Sequence, residues 1–284
     1  MEKQLFNANG HAYVDLGLPS GTLWAAMNVG ANNEADAGLY FAWGETGGYR
    51  KNDVFNKKKT FTWKDYFFGS VDEFESEKIS LIKYNSKDKK IVLGIEDDAA
   101  QYNMGGDWRM PTEVDFKELL DNTFQTLIKN YKGTGISGHL LVSKINGRTL
   151  FFPNSYSFYN GITAGGMFDY GGYWSSSLTV FDTNCGMYLY LDSGSVVMSV
   201  SSRNCGRSVR GVIRKEDTSF NKRKVELTEK EVKSLKLLVF ALTLPIADKV
   251  GVSPATAMNL KDDLVNLLMK VANEDELKEL GFFK

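Results

Sequence analysis

Residues able to carry out chemistry are few in this chain, and their spacing is wrong for most reactions. There are two cysteines, Cys185 and Cys205, and two histidines, His11 and His139. A transition-metal centre needs several sulfur or imidazole ligands gathered at short spacing. The histidines stand alone and read as surface or loop residues. The cysteines read as two free thiols, with one bridge between neighbouring strands as the lesser alternative. No nucleophile stands in a pattern with a base and an orienting group. The reading is therefore a non-enzyme, with no catalytic residue, no metal and no cofactor. The acidic run Glu96-Asp97-Asp98 precedes Ala99-Ala100 and reads as the cap of a helix rather than a cation site. Trp24, Trp43, Trp108 and Trp174 read as core pins, and Arg109 and Arg210 as buried or half-buried arginines paired with acids.

What the sequence does concentrate is binding chemistry. The stretch GGYWSSSLTVFDTNCGMYLYLDSGSVVMSVSSRNCGRSVRGV, Gly171 to Val212, is rich in Tyr, Ser, Gly and Asn. Strand alternation puts Tyr188, Tyr190 and Asp192 on one face and Leu189 and Leu191 on the other. In the next run Val196, Met198 and Val200 alternate with Val197, Ser199 and Ser201. Tyr offers contact area at low entropic cost, and Ser, Gly and Asn offer adaptable hydrogen bonds, as in an antibody paratope. The candidate ligand-binding residues are Asp182, Asn184, Tyr188, Tyr190, Asp192, Ser199, Ser201, Arg203 and Asn204.

The elements that position them are short strands and turns. Hairpin chemistry surrounds Asn146-Gly147, a dipeptide that favours a type I′ turn. Asp192-Ser193-Gly194 joins two strands. Thr112 with Asp115 reads as a capping box ahead of a helix whose buried stripe is Phe116, Leu119 and Leu120. All five tryptophans, and every glycine but Gly251 and Gly281, precede the polar linker 215–224. Residues 225–284 instead show helical periodicity, with caps at Thr228, Ser253-Pro254 and Asn273. The division is a ligand-binding domain over 1–214, the linker, and a helical anchoring or oligomerisation domain over 225–284. Ile246 to Leu264 has helix-turn-helix spacing. Residues 226–284 nevertheless carry 8 basic and 10 acidic residues, a net −2, so a packed helical pair is the reading and nucleic acid is not a partner. Across the whole chain 34 basic residues nearly balance 35 acidic ones, which gives no attraction to nucleic acid or anionic lipid. No apolar run is long enough to insert in a membrane. The N-terminus lacks a signal-peptide pattern.

The segments YVDLGLPSGTLWAAMNVGA, GLYFAWGET, EDDAAQYNMGGDWRMPTEVDFKELL, VSKINGRTLFFP, YWSSSL and SVRGV occur in an order that resembles the Fibrobacter-succinogenes-type major paralogous domain common in Bacteroidetes. The resemblance covers roughly His11 to Ile213. It implies a C-type-lectin-like fold, related to variable proteins of diversity-generating retroelements and to formylglycine-generating enzymes. The expected class is thus α+β, a C-type-lectin-like domain followed by a small all-helical domain. The resemblance also implies a ligand face built from the last strands before the closing arginine segment. Gly211 departs from the family's usual Pro. A lectin-type calcium site is not implied, because Phe152 precedes Pro153-Asn154 and Ser175 follows Trp174, where that site needs oxygen ligands. The functional expectation is adhesion to a cell-surface protein or glycan, by a virion protein of a Bacteroidetes phage made in the host cytoplasm. The tail would join other virion chains or itself. The alternatives are a formylglycine-generating-type oxidase and a cytoplasmic bacterial interaction protein.

Overall fold

The computed structural model describes residues 6–72, 78–164 and 170–214. The chain divides into two compact units, Met1–Glu216 and Asp217–Lys284. The linker and the tail helices expected from the sequence lie outside the described residues.

In chain order the elements are β1 (Phe6–Ala8), β2 (His11–Val14), β3 (Thr22–Ala25), β4 (Tyr40–Phe41), α1 (Lys51–Phe55), β5 (Gly69–Asp72), β6 (Lys78–Leu81), α2 (Ala99–Met104) and α3 (Glu113–Asp121). There follow β7 (Thr123–Ile128), β8 (Gly138–Ser143), β9 (Thr149–Pro153), β10 (Ser157–Tyr159), β11 (Ile162–Ala164), β12 (Gly171–Leu178), β13 (Cys185–Leu191), β14 (Val196–Ser202), β15 (Arg207–Ser208) and β16 (Val212–Arg214). The expected α+β, C-type-lectin-like class is corrected by this content. Sixteen strands stand against three α-helices among the described residues, the longest of nine residues, so the class here is mainly β. The physical reason lies in the composition. Gly-broken, β-branched and aromatic runs favour strands and leave only short helices.

The central sheet has the order β14-β13-β12-β15-β4, and a second sheet runs β1-β2-β3-β16. The main helix on the central sheet is α3. The expected capping box opens it, with the Asp115 amide donating to Thr112 Oγ1 at 3.2 Å and the Thr112 amide to Asp115 Oδ2 at 2.7 Å. Phe116 and Leu119 are fully buried against Leu189, Leu191 and Tyr173, with Leu120 partly buried beside them. The other side of the sheet packs Trp43, Trp108, Trp174 and Tyr188 into a second cluster. Trp24, Trp43, Trp108 and Trp174 are all fully buried. Each ring removes roughly 200 Å² from water, worth about 5 kcal/mol at roughly 25 cal/mol per Å².

Three local expectations are refined. The β8–β9 hairpin is present, but its loop spans Lys144 to Arg148 and only Gly147 takes a positive φ, 73°. It is therefore not a two-residue type I′ turn. Asp98 caps α2 by accepting from the Gln101 amide at 2.9 Å, and it also accepts from the Met110 amide. Arg109 does pair with an acid, Asp115, at 2.7 Å. Arg210 does not. It is fully buried and donates to the carbonyls of Ala25, Ala26 and Phe151 and to Asn28 Oδ1. At Gly211 a Cβ would lie 2.7 Å from Met104 Sδ.

Candidate functional site

The candidate face is the outer hairpin of the central sheet. β13 pairs with β14 in the register Tyr188↔Ser199, Tyr190↔Val197 and Gly186↔Ser201. These residues share one face, because paired residues point the same way. Leu189 and Leu191 occupy the opposite face, beneath α3. At Gly186 a Cβ would stand 2.7 Å from Trp43 Cδ1, so only glycine lets the strand pass over that ring.

The predicted residues separate into three layers. Asp182 is exposed, and Asn184, Tyr190, Asp192, Ser199 and Ser201 are half-buried. These six line the surface of the hairpin and its loops. Tyr188 is buried, and its ring meets Trp174 at 6.0 Å and Tyr190 at 6.4 Å. Its ring projects from the same face into the cluster of Trp43 and Trp174, so that part of the face is covered by the core. Arg203 and Asn204 do not belong to the face, which corrects their assignment as ligand residues. Both are fully buried. The Arg203 guanidinium lies over Trp43 at 4.7 Å and donates to the Tyr66 hydroxyl and to the carbonyls of Lys83, Tyr84 and Thr183. Asn204 donates to the Phe61 carbonyl at 2.8 Å. A planar guanidinium matched to several carbonyls is a structural rivet.

The serines of β12 are also structural. All eight residues of that strand are buried. Ser175 Oγ donates to the Met187 carbonyl at 2.9 Å, and Ser177 Oγ accepts from the Glu113 amide at 3.0 Å. Small hydroxyls here satisfy backbone groups where β12 and β13 fall out of register between Trp174 and Leu178.

Residues missed in the sequence complete the site. Arg207 is buried with its guanidinium 3.6 Å from the Tyr188 ring, and it donates to Ser157 Oγ at 2.6 Å and to the Tyr170 hydroxyl. Tyr170 packs on Tyr190 at 5.3 Å. Tyr190 in turn donates to Asp192 Oδ2. That bond, with burial and the Asp192 charge, pushes the Tyr190 phenol up to about 12, and the same bond holds Asp192 below the usual carboxylate range. Asp192 also accepts from the Gly194 and Ser195 amides, which fixes the β13–β14 turn. In the loop between β12 and β13, Val180 is exposed and Phe181 is 94% exposed. The adjacent pair Val-Phe ahead of Asp-Thr-Asn was the available signal: two large apolar residues at a turn have no core-facing period. Arg203, through Thr183, ties down the base of this loop.

The two cysteines are free. The Cys185 thiol is pushed up to about 11 by burial, then by Asp182. Among the described residues no group of three or more His, Cys, Asp or Glu gathers as a metal site, and no helix is long and apolar enough to cross a membrane. No sequence family, curated protein or solved structure matches this chain.

Proposed function

We propose that this protein binds a macromolecular ligand through the β13–β14 hairpin face and the loop 179–184, and that it is not an enzyme. The observation that carries this reading is Phe181, 94% exposed in the loop that leads into β13, on an edge hairpin that also carries half-buried Tyr190, Ser199 and Ser201. An isolated exposed phenylalanine is costly to solubility. One in a loop whose base is tied down by Arg203 through Thr183 is an anchor for a partner. The buried guanidinium groups hold the face in place before binding, and this reduces the ordering cost of association. The sequence resemblance to the major paralogous domain supports the same face.

The proposed ligand is a cell-surface protein or glycan. The proposed setting is the particle of a phage of Bacteroidetes, where many copies convert weak contacts into firm adhesion. The C-terminal segment would join other virion chains or itself. An intracellular bacterial interaction protein is the alternative setting. The test uses fluorescently labelled full-length protein on Bacteroidetes cells, read by flow cytometry. A variant carrying Phe181→Ser and Tyr190→Ala should lose binding at unchanged melting temperature. Full retention of binding by that folded variant would sink the assignment. Peptides of this chain in purified phage particles would support the virion setting, and a chromosomal operon without phage genes would remove it.

A further inference from the structure

A second concavity lies at the other edge of the central sheet, where β4 meets α1 and the β9–β10 connection. It is a cleft of about 600 Å³, within the range of small-ligand sites. Its walls include Asp36, Tyr40, Arg50, Lys51, Asn154 and Tyr156.

Two features of these walls ask for a ligand. Tyr40 is 1% exposed and its hydroxyl has no hydrogen-bond partner. Burial raises its phenol above the ordinary range, with smaller contributions from Tyr173, Tyr156 and Asp36, the last two of which line the cleft. Asn154 is the second feature. Its Nδ2 and Oδ1 are both buried and both unpartnered. Buried polar groups in native folds are nearly always satisfied, and an exception calls for a cause. Backbone strain coincides with them. Tyr156 is held at φ 58°, a conformation costing a side-chain-bearing residue about 1 kcal/mol or more.

The chemistry of the unmet groups selects the ligand class. A simple anion would satisfy the donors and leave Asn154 Oδ1 bare. A cation would do the reverse. A polyol satisfies both, because each hydroxyl donates and accepts, and two adjacent hydroxyls match the donor–acceptor pair of one amide. Tyr156 adds an aromatic ring for the apolar face of a sugar. The charges refine the choice. Arg50 is already engaged by the Gly30 carbonyl and by Asp36 at 3.4 Å. The Lys51 ammonium lies over the Tyr156 ring at 4.3 Å, and no ion pair joins it to a carboxylate among the described residues. We propose that this cleft binds a pyranose unit of a glycan without a metal ion, through Tyr40 and Asn154, with Lys51 favouring a sugar that carries a carboxylate.

The test is saturation-transfer NMR on the full chain with methyl β-glucopyranoside, glucuronic acid and galacturonic acid, each at about 10 mM, where a millimolar site is occupied. Transfer to the ring protons is expected, stronger for the two uronic acids at low salt. Tyr40→Phe removes one oxygen and keeps the ring. It should weaken binding about 2- to 10-fold, the span of one hydrogen bond, without lowering the melting temperature. Asn154→Ala should weaken binding at least as much. Lys51→Met should erase the preference for the acidic sugars. No transfer from any of the three sugars would overturn the proposal. So would binding unchanged in both Tyr40→Phe and Asn154→Ala, or a Tyr40→Phe variant several degrees less stable, which would show that the hydroxyl already has a structural partner.

Discussion

Tyr188 and Tyr190 sit two residues apart on one strand and one face, yet they stand at different depths. Tyr188 lies between the Trp174 ring and the Arg207 guanidinium, buried. Tyr190 overlies Tyr170 and is half-exposed. Truncating Tyr188 to alanine empties a core site and strands Arg207 without its ring, so it should cost about 3–5 kcal/mol of stability. Truncating Tyr190 removes a rim contact and one hydrogen bond to Asp192, and should cost about 1 kcal/mol or less. Urea unfolding of the two single variants measures the difference. Equal losses would mean that Tyr190 is as structural as its neighbour and that the binding face must be drawn elsewhere. Any loss of ligand binding in Tyr188→Ala would say nothing about contact, which is why Phe181 and Tyr190 carry the functional test.

At the scale of elements, the parts legible in the sequence are those fixed by local rules. The capping box at Thr112 and Asp115, the Asp98 cap and the Asp192-Ser193-Gly194 turn each rest on residues within a few positions of one another. Strand alternation separated Leu189 and Leu191 from Tyr188 and Tyr190 for the same reason, and the structure packs the two leucines under α3. The parts that were not legible depend on distant partners. Arg203 is buried because the carbonyls of Lys83, Tyr84 and Thr183 converge on it, and Arg207 because Ser157 and Tyr170 do. A long cation reads as surface until those carbonyls are located. The cleft at Tyr40 and Asn154 was invisible for the same reason, since its walls come from four separate stretches of chain. Local rules also carry a prediction. Thr112→Ala removes the Oγ1 that accepts from the Asp115 amide and donates to the Asp115 carboxylate at 2.6 Å. It should destabilise by about 1 kcal/mol, measured by thermal unfolding. Arg109 still holds Asp115, so a loss several times larger would show that the cap organises more than its own helix.

For the described fold taken as a whole, the tyrosines set the alkaline limit. The chain has 13. Burial chiefly raises the phenols of Tyr40, Tyr66, Tyr84, Tyr131, Tyr173 and Tyr188, and the bond to Asp192 chiefly raises Tyr190. A phenol whose folded value exceeds its unfolded value of about 10 binds its proton more tightly when folded. Its stabilising contribution is complete below about pH 10 and is lost as pH rises through the folded value. Seven such groups draw in the same direction, so stability should fall steeply once the unfolded chain can ionise. Phenolate absorbance near 295 nm should therefore rise in two waves. A phenol open to solvent ionises first and reversibly, as a free phenol does at about 10. The buried set ionises only when the core opens, in a second, steeper wave that coincides with loss of near-ultraviolet circular dichroism. In concentrated guanidinium all 13 should titrate together near the ordinary phenol value. A single reversible wave in the native protein, with the dichroism intact, would mean that these rings reach solvent and that the aromatic layer beneath the hairpin face is not the closed core the structure places there.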